Sequence, residues 1–177
     1  MTDHPAKPSK QYSLLIENAG LVLLWPFFAF LFEKLELVKD NAFISHEASI
    51  RASYILQYLV TGNQKSEEQG MALNKILCNV PNNAPLPPIK ELTEPEKELC
   101  HELLTTAISR WEVIHNTSIE GFRETFLVRT GKLEWQEDHM TLHVEKKSYD
   151  MLLDKIPWSI AVIKLPWMKD AVYVKWR

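Results

Sequence analysis

From Ala19 to Phe32 the chain runs fourteen residues without a charge, with Glu17 before the run and Glu33 after it. A membrane-spanning helix needs about 20 apolar residues. This run is shorter, is flanked by carboxylates and is interrupted by Pro26. It therefore predicts a bent core helix and no stable membrane insertion. Ser13 is positioned to cap a helix over Leu14–Leu24. Pro26 then kinks that helix or opens a second one, which continues from Phe27 to Leu37. Asp40-Asn41 makes a turn, and a helical face of Ala52, Ile55, Leu56, Leu59 and Val60 follows over His46–Val60. Gly62 sits where a left-handed cap is expected. A short helix over Glu67–Cys78 directs Leu73, Ile76 and Leu77 inward.

Four prolines between Pro81 and Pro88 make the next stretch an extended connector. Thr93 with Glu96 reads as a capping box, opening a helix to Trp111 with Leu99, Leu103, Leu104, Ala107 and Ile108 along one stripe. Thr117 with Glu120 repeats the pattern for a helix through Val128. From Gly131 the period changes to two. Leu133 and Trp135, then Met140, Leu142 and Val144, alternate with polar residues on either side of Glu137-Asp138, which is a β-hairpin. Ser148–Lys155 predicts a short helix, Ile160–Leu165 a strand-like stretch, and Ala171–Trp176 a terminal strand. The fold class is thus α+β: mainly α with a small antiparallel β element. Residues 1–12 are expected to be a flexible arm before a single domain over residues 13–177, with helices in 14–128 and the hairpin and Pro-Trp segment in 131–177.

Composition narrows the function. Twenty Lys and Arg against twenty-three Asp and Glu lack the basic excess by which proteins neutralise phosphates, so nucleic acid is not an expected partner. Met1–Lys10 shows no basic region followed by an apolar one, which predicts assembly in the cytoplasm. Cys78 and Cys100 lack paired C-x-x-C spacing and read as packed thiols. His139 and His143 fall on a turn and an alternating strand, where their rings are too far apart to share a metal. Glu94, Glu96 and Glu98 suit a helix N-terminus rather than acid/base chemistry. No phosphate loop or nucleophile elbow occurs. Glycoside chemistry at Glu134 or Glu137 would need a second carboxyl across a cleft, and nothing pairs them. No catalytic residue, cofactor or metal is expected.

Several blocks occur in a familiar order: ENAGLVLLWPF at Glu17–Phe27, LQYLVTG at Leu56–Gly62, LNKILC at Leu73–Cys78, NTSIEGFRETFL at Asn116–Leu127, RTGKL at Arg129–Leu133 and LLDKIPWSIAVIKLPWM at Leu152–Met168. In this arrangement the chain resembles the contractile injection system tape measure protein family of phage-tail-like particles. The resemblance implies a nonenzymatic structural component in the lumen of a contractile tail tube, with tail tube, hub or spike, and baseplate proteins as partners. A homo-oligomer is implied as well, a trimer by analogy with phage tails. The family-motif and interface candidates it carries over are Asn18, Gly20, Trp25, Pro26, Asn116, Thr117, Arg123, Pro157, Trp158, Lys164, Pro166 and Trp167. An alternative role is an adaptor or chaperone that loads effectors into the tube. A ruler acts through length, yet 177 residues in one helix would span only about 265 Å, and the connector and hairpin break this chain into pieces. The expectation is therefore an anchoring module, whether a short family member or a fragment of a longer one. Trp25 is predicted to pack at the Pro26 bend against the C-terminal Pro-Trp segment.

Overall fold

The computed structural model describes residues 12–63 and 68–176. The expected N-terminal arm lies, but for its last residue, outside them. In chain order the structure has β1 (Tyr12–Ile16), a 3-10 helix (Ala19–Phe27), α1 (Phe28–Lys34), the two-residue strands β2 (Val38–Lys39) and β3 (Ala42–Phe43), and α2 (His46–Thr61). A 3-10 turn (Glu68–Met71) leads into α3 (Ala72–Leu77), and α4 (Glu94–Arg110) follows the proline-rich connector. Next come α5 (Ile119–Phe122), a π-helical turn (Arg123–Leu127), the hairpin β4 (Gly131–Trp135) and β5 (His139–Val144), a 3-10 helix (Asp150–Lys155), β6 (Val162–Ile163) and β7 (Ala171–Lys175).

The larger sheet has the order β1-β4-β5-β7-β6. β4 pairs antiparallel with β1 and β5, β7 runs parallel to β5, and β6 is antiparallel to β7. Register places Leu14, Leu133, Leu142 and Val174 in one row across four strands, on the face that supplies core residues. The opposite face carries Leu15, Lys132, His143 and Lys175 in one row and Ser13, Glu134, Thr141 and Tyr173 in the next. No helix of the described residues is long and apolar enough to cross a membrane.

The predicted hairpin, the terminal strand, the Thr93–Glu96 capping box and the left-handed cap at Gly62 (φ +68°) are all present. Asp40 and Asn41 both have positive φ, as a two-residue hairpin turn between β2 and β3 requires. The expected helix over Leu14–Leu24 does not form. Its first residues are strand β1, with Ser13 opposite Glu134 instead of capping a helix. The pairing partner, β4, lies more than a hundred residues further on, so local spacing carries no sign of it. The segment from Ala19 is 3-10, and Ala19 through Leu24 are all buried. With no polar stripe to face water, packing rather than amphipathicity sets its geometry. Gly20 shows this directly: a Cβ there would lie 1.8 Å from Phe126 O and 2.5 Å from Leu127 Cα. The second capping pattern is displaced by one residue, since Ser118 accepts from Gly121 N–H. The helix it opens widens into the π turn at Arg123, and Val128 is already extended.

Two polar systems tie the layers. Arg51 donates to both Glu96 carboxylate oxygens and to the carbonyls of Lys90 and Glu91, fastening the connector between α2 and α4. Burial raises the Glu96 carboxyl, yet Arg51 and the Thr93 cap hold it below the ordinary carboxylate value. The second system is wholly interior. Arg129 Nη1 donates to both oxygens of Asp150 at 3.0 and 2.8 Å and to Glu145 O, and Nη2 donates to Thr125 O. Its guanidinium lies over the rings of Tyr149 and Trp176. Asp150 also accepts from Lys147 N–H and the Trp176 indole. Burial pushes the Asp150 carboxyl up, but these donors, Arg129 foremost, hold it below the usual range.

Two outcomes follow. The folded state binds the Asp150 proton less tightly than the unfolded chain does, so the pair's contribution is complete above about pH 4 and is lost as pH falls through the lowered native value. Asp150→Asn should cost about 3–5 kcal/mol in denaturant unfolding at neutral pH, because it strands a buried guanidinium. The substitution should also flatten the loss of stability as pH falls below about 4. Gly20→Ala meets main chain that cannot swing aside. It should lower the melting temperature by roughly 10 °C or more, read by circular dichroism, on the scale of about 2–4 °C per kcal/mol for this size.

Candidate interface at the Trp25–Trp158 elbow

Pro26 lacks an N–H and sits two residues before α1 begins, at the junction of the 3-10 and α segments. On one side of this bend Trp25 Nε1 donates to Ser159 O at 2.8 Å. On the other, Trp158 Nε1 donates to Leu23 O at 2.8 Å. The exchange is reciprocal: each indole reaches the main chain next to the other. Phe27 meets the Trp158 ring edge-on, with centroids 5.3 Å apart. Pro157, exposed beside Trp158, completes the elbow. The predicted packing of Trp25 against the C-terminal Pro-Trp segment is thus observed.

Next to the elbow, α1 and α4 enclose a groove of about 410 Å³. Pro26, Phe27 and Phe30 line one wall, and Leu99, Leu103 and Arg110 the other. Phe30 is 64% exposed although it lies in the most apolar stretch of the chain. The Arg110 guanidinium rests 5.6 Å from the centre of the Phe27 ring and the Lys34 ammonium 5.6 Å from that of Phe30. Such cation–ring contacts contribute about 0.5–1 kcal/mol at exposed sites. Glu102 lines the groove as well as Arg110, so its charge is balanced and its apolar floor suits the apolar face of a helix.

The remaining candidates do not join this surface. Asn18 is interior, donating to Gln57 Oε1 at 2.9 Å and Asn74 Oδ1 at 2.7 Å, and Gly20 lies against the π turn. Asn116 is exposed and Thr117 half-buried in the turn before α5, where Thr117 N–H donates to Ile114 O. Arg123 is buried and donates to Leu59 O, Tyr58 O and Glu120. It thereby satisfies carbonyls at the C-terminal end of α2, where a cation is favoured. Lys164 Nζ donates to Met168 O, and Pro166 is exposed. Trp167 donates to Leu77 O at 2.7 Å and packs on Phe32 and Phe43. Of the twelve, Trp25, Pro26, Pro157 and Trp158 form one surface feature, and the others act where they stand.

Residues singled out for chemistry are equally well explained. Cys78 and Cys100 are free and buried; burial drives the Cys78 thiol far up and Cys100 to about 12, which keeps both unreactive. His143 contacts Glu134 and His139 contacts Asp138 on the outer sheet face. Glu134 is further engaged by Lys132, and side-chain hydrogen bonds from Lys132 and His143 hold its carboxyl low. A carboxylate so held is unsuited to act as a general acid. Among the described residues no three His, Cys, Asp or Glu side chains are grouped to hold a metal. Sequence reasoning did not single out Phe30, Arg110 or the Arg129–Asp150 pair. Phe30 carries no polar marker in its neighbourhood, and the pair is distributed over segments whose contact depends on the fold.

Compared with family models, residues 2–176 match the one described as "Contractile injection system tape measure protein". No curated protein and no solved structure matches the chain.

The elbow makes a quantitative expectation. Trp158→Phe keeps an aromatic ring beside Phe27 but loses the bond to Leu23 O. It should cost about 1–2 kcal/mol in denaturant unfolding, as should Trp25→Phe. A double-mutant cycle should show the pair to be less than additive, since both bonds close the same bend.

Proposed function

Because the chain belongs to the contractile injection system tape measure protein family, we propose that it is a nonenzymatic assembly component that anchors within the tail tube or baseplate hub of its particle. The observation that carries this reading is the family match over nearly the whole chain, residues 2–176. The family is one of structural components, and Glu96, Glu134, His139 and His143 are engaged in side-chain contacts. The fold supports an anchor rather than a ruler. Its longest helix has 17 residues, and helices and sheets contribute to one shared core. The chain is assembled in the cytoplasm and ends in the lumen of the particle, in contact with tube, hub or spike proteins and without nucleic acid. The α1–α4 groove is the surface it offers them.

The same groove favours a second reading, an adaptor that carries effectors into the tube, because an exposed apolar channel is what such a protein presents to partner helices. Co-expression with tube, hub and baseplate proteins on one side and effectors on the other separates the two. The chain should co-purify with hub or baseplate components. Phe30→Glu should reduce that recovery about tenfold, equivalent to about 1.4 kcal/mol, while leaving the fold intact, since Phe30 is largely exposed. Recovery of effectors in place of baseplate components would favour the adaptor. Failure to recover either would remove both.

A further inference from the structure

The two edges of the large sheet are built differently. β6 offers only Val162 and Ile163, which is how a sheet protects an edge. β1 offers five residues, Tyr12–Ile16, with no proline and no charge. Its Leu15 is 68% exposed and its Tyr12 49%. Lysine, proline or extreme shortness is the usual guard on such an edge, and β1 has none of them.

The ladder fixes which groups of β1 face outward. Gln136 N–H donates to His139 O and Glu145 N–H to Thr130 O, so the even-numbered residues of β4 turn their main chain toward β5. Alternation then directs Gly131, Leu133 and Trp135 toward β1, onto their partners Ile16, Leu14 and Tyr12. Among the described residues, the N–H and C=O of Ser13 and of Leu15 are left on the outer edge.

We propose that β1 pairs with β1 of a second copy of this chain, antiparallel about a two-fold axis through Leu14. In that register Ser13 lies opposite Leu15 of the other copy and Leu15 opposite its Ser13. The eight outward groups of the two copies become four hydrogen bonds, with none left over. Leu14 faces its own image and Tyr12 faces Ile16. An isologous contact sets each residue near the axis against its own kind, so any charge there would repel itself, and β1 carries none. The two exposed Leu15 side chains lie on the same outer face as diagonal neighbours, about 7–8 Å apart between backbones and within reach of each other. A three-fold ring formed by continuing the sheet would need β1 to meet β6, which is too short to receive it. The geometry therefore favours a closed pair over the trimer expected by analogy. A five-residue edge buries less than the roughly 1,200 Å² of a standard stable interface, so the pair is reversible and forms at high concentration.

The inference rests on β1 alone and is independent of the α1–α4 groove. Sedimentation velocity of the whole chain from about 1 to 500 µM tests it, because mass action makes pairing depend on concentration. The mass should rise from 20.6 kDa toward twice that value. Leu15→Lys brings two cations together across the axis, and Ser13→Pro removes an outward N–H. Each should move the midpoint at least about tenfold higher, while Phe30→Glu leaves it unchanged. Amide exchange gives a second readout: the Ser13 and Leu15 amides should gain protection as concentration rises. A monomer throughout, a limiting mass of three chains, or a dimer indifferent to Leu15→Lys would each overturn the proposal.

Discussion

The structure depends first on the buried guanidinium of Arg129. Its side chain joins the π turn, the end of β5 and Asp150. Its main chain accepts from Ala19 N–H and donates to Glu17 O, holding the segment that leaves β1. A charge taken out of water is costly unless it is paired, and here a carboxylate, two carbonyls and two aromatic faces surround it, with Nε left without a partner among the described residues. The guanidinium's hydrogen-bond partners lie within 21 positions along the chain, while Trp176 comes from beyond β7. The ion pair therefore acts mainly to specify which segments meet, since a sheet built in another register would leave the charge uncompensated.

A second constraint is steric. The apolar run crosses the main chain of Phe126 and Leu127 so closely at Gly20 that no side chain fits. The two contacts reinforce each other. Arg129 fixes the chain just after the π turn, and Gly20 allows the run to press against that turn. Asn18 adds the third fastening, through Gln57 and Asn74 to α2 and α3. Among the family-motif residues, Asn18 and Gly20 are parts of this interior joint. The elbow at Pro26 is where the apolar run reaches the surface.

How much of this could be read from the sequence varied with the range of the interaction. The Thr93–Glu96 box, the Gly62 cap, the α2 face and the β4–β5 hairpin depend on residues within a few positions, and each is present where expected. β1 was misread because Leu14, Leu15 and Ile16 suit a strand as well as a helix, and its partner is remote. The 3-10 geometry of Ala19–Phe27 is illegible for a related reason: its first six residues are buried on all sides and show no periodicity. Within the candidate site, Trp25 and Trp158 were recognisable as anchors. Phe30 was hidden among residues that are buried.

The reciprocal indole bonds at the elbow also bear on how the chain is made. Leu23 and Trp158 are separated by 135 positions, and Trp25 and Ser159 by 134. At about 5–20 residues per second, the ribosome needs roughly 7–30 s to supply the residues that cover the apolar run. For that interval fourteen uncharged residues have emerged without their cover. The apolar run can therefore complete its packing only after the Trp158–Ser159 segment has been made, so this corner of the core closes late.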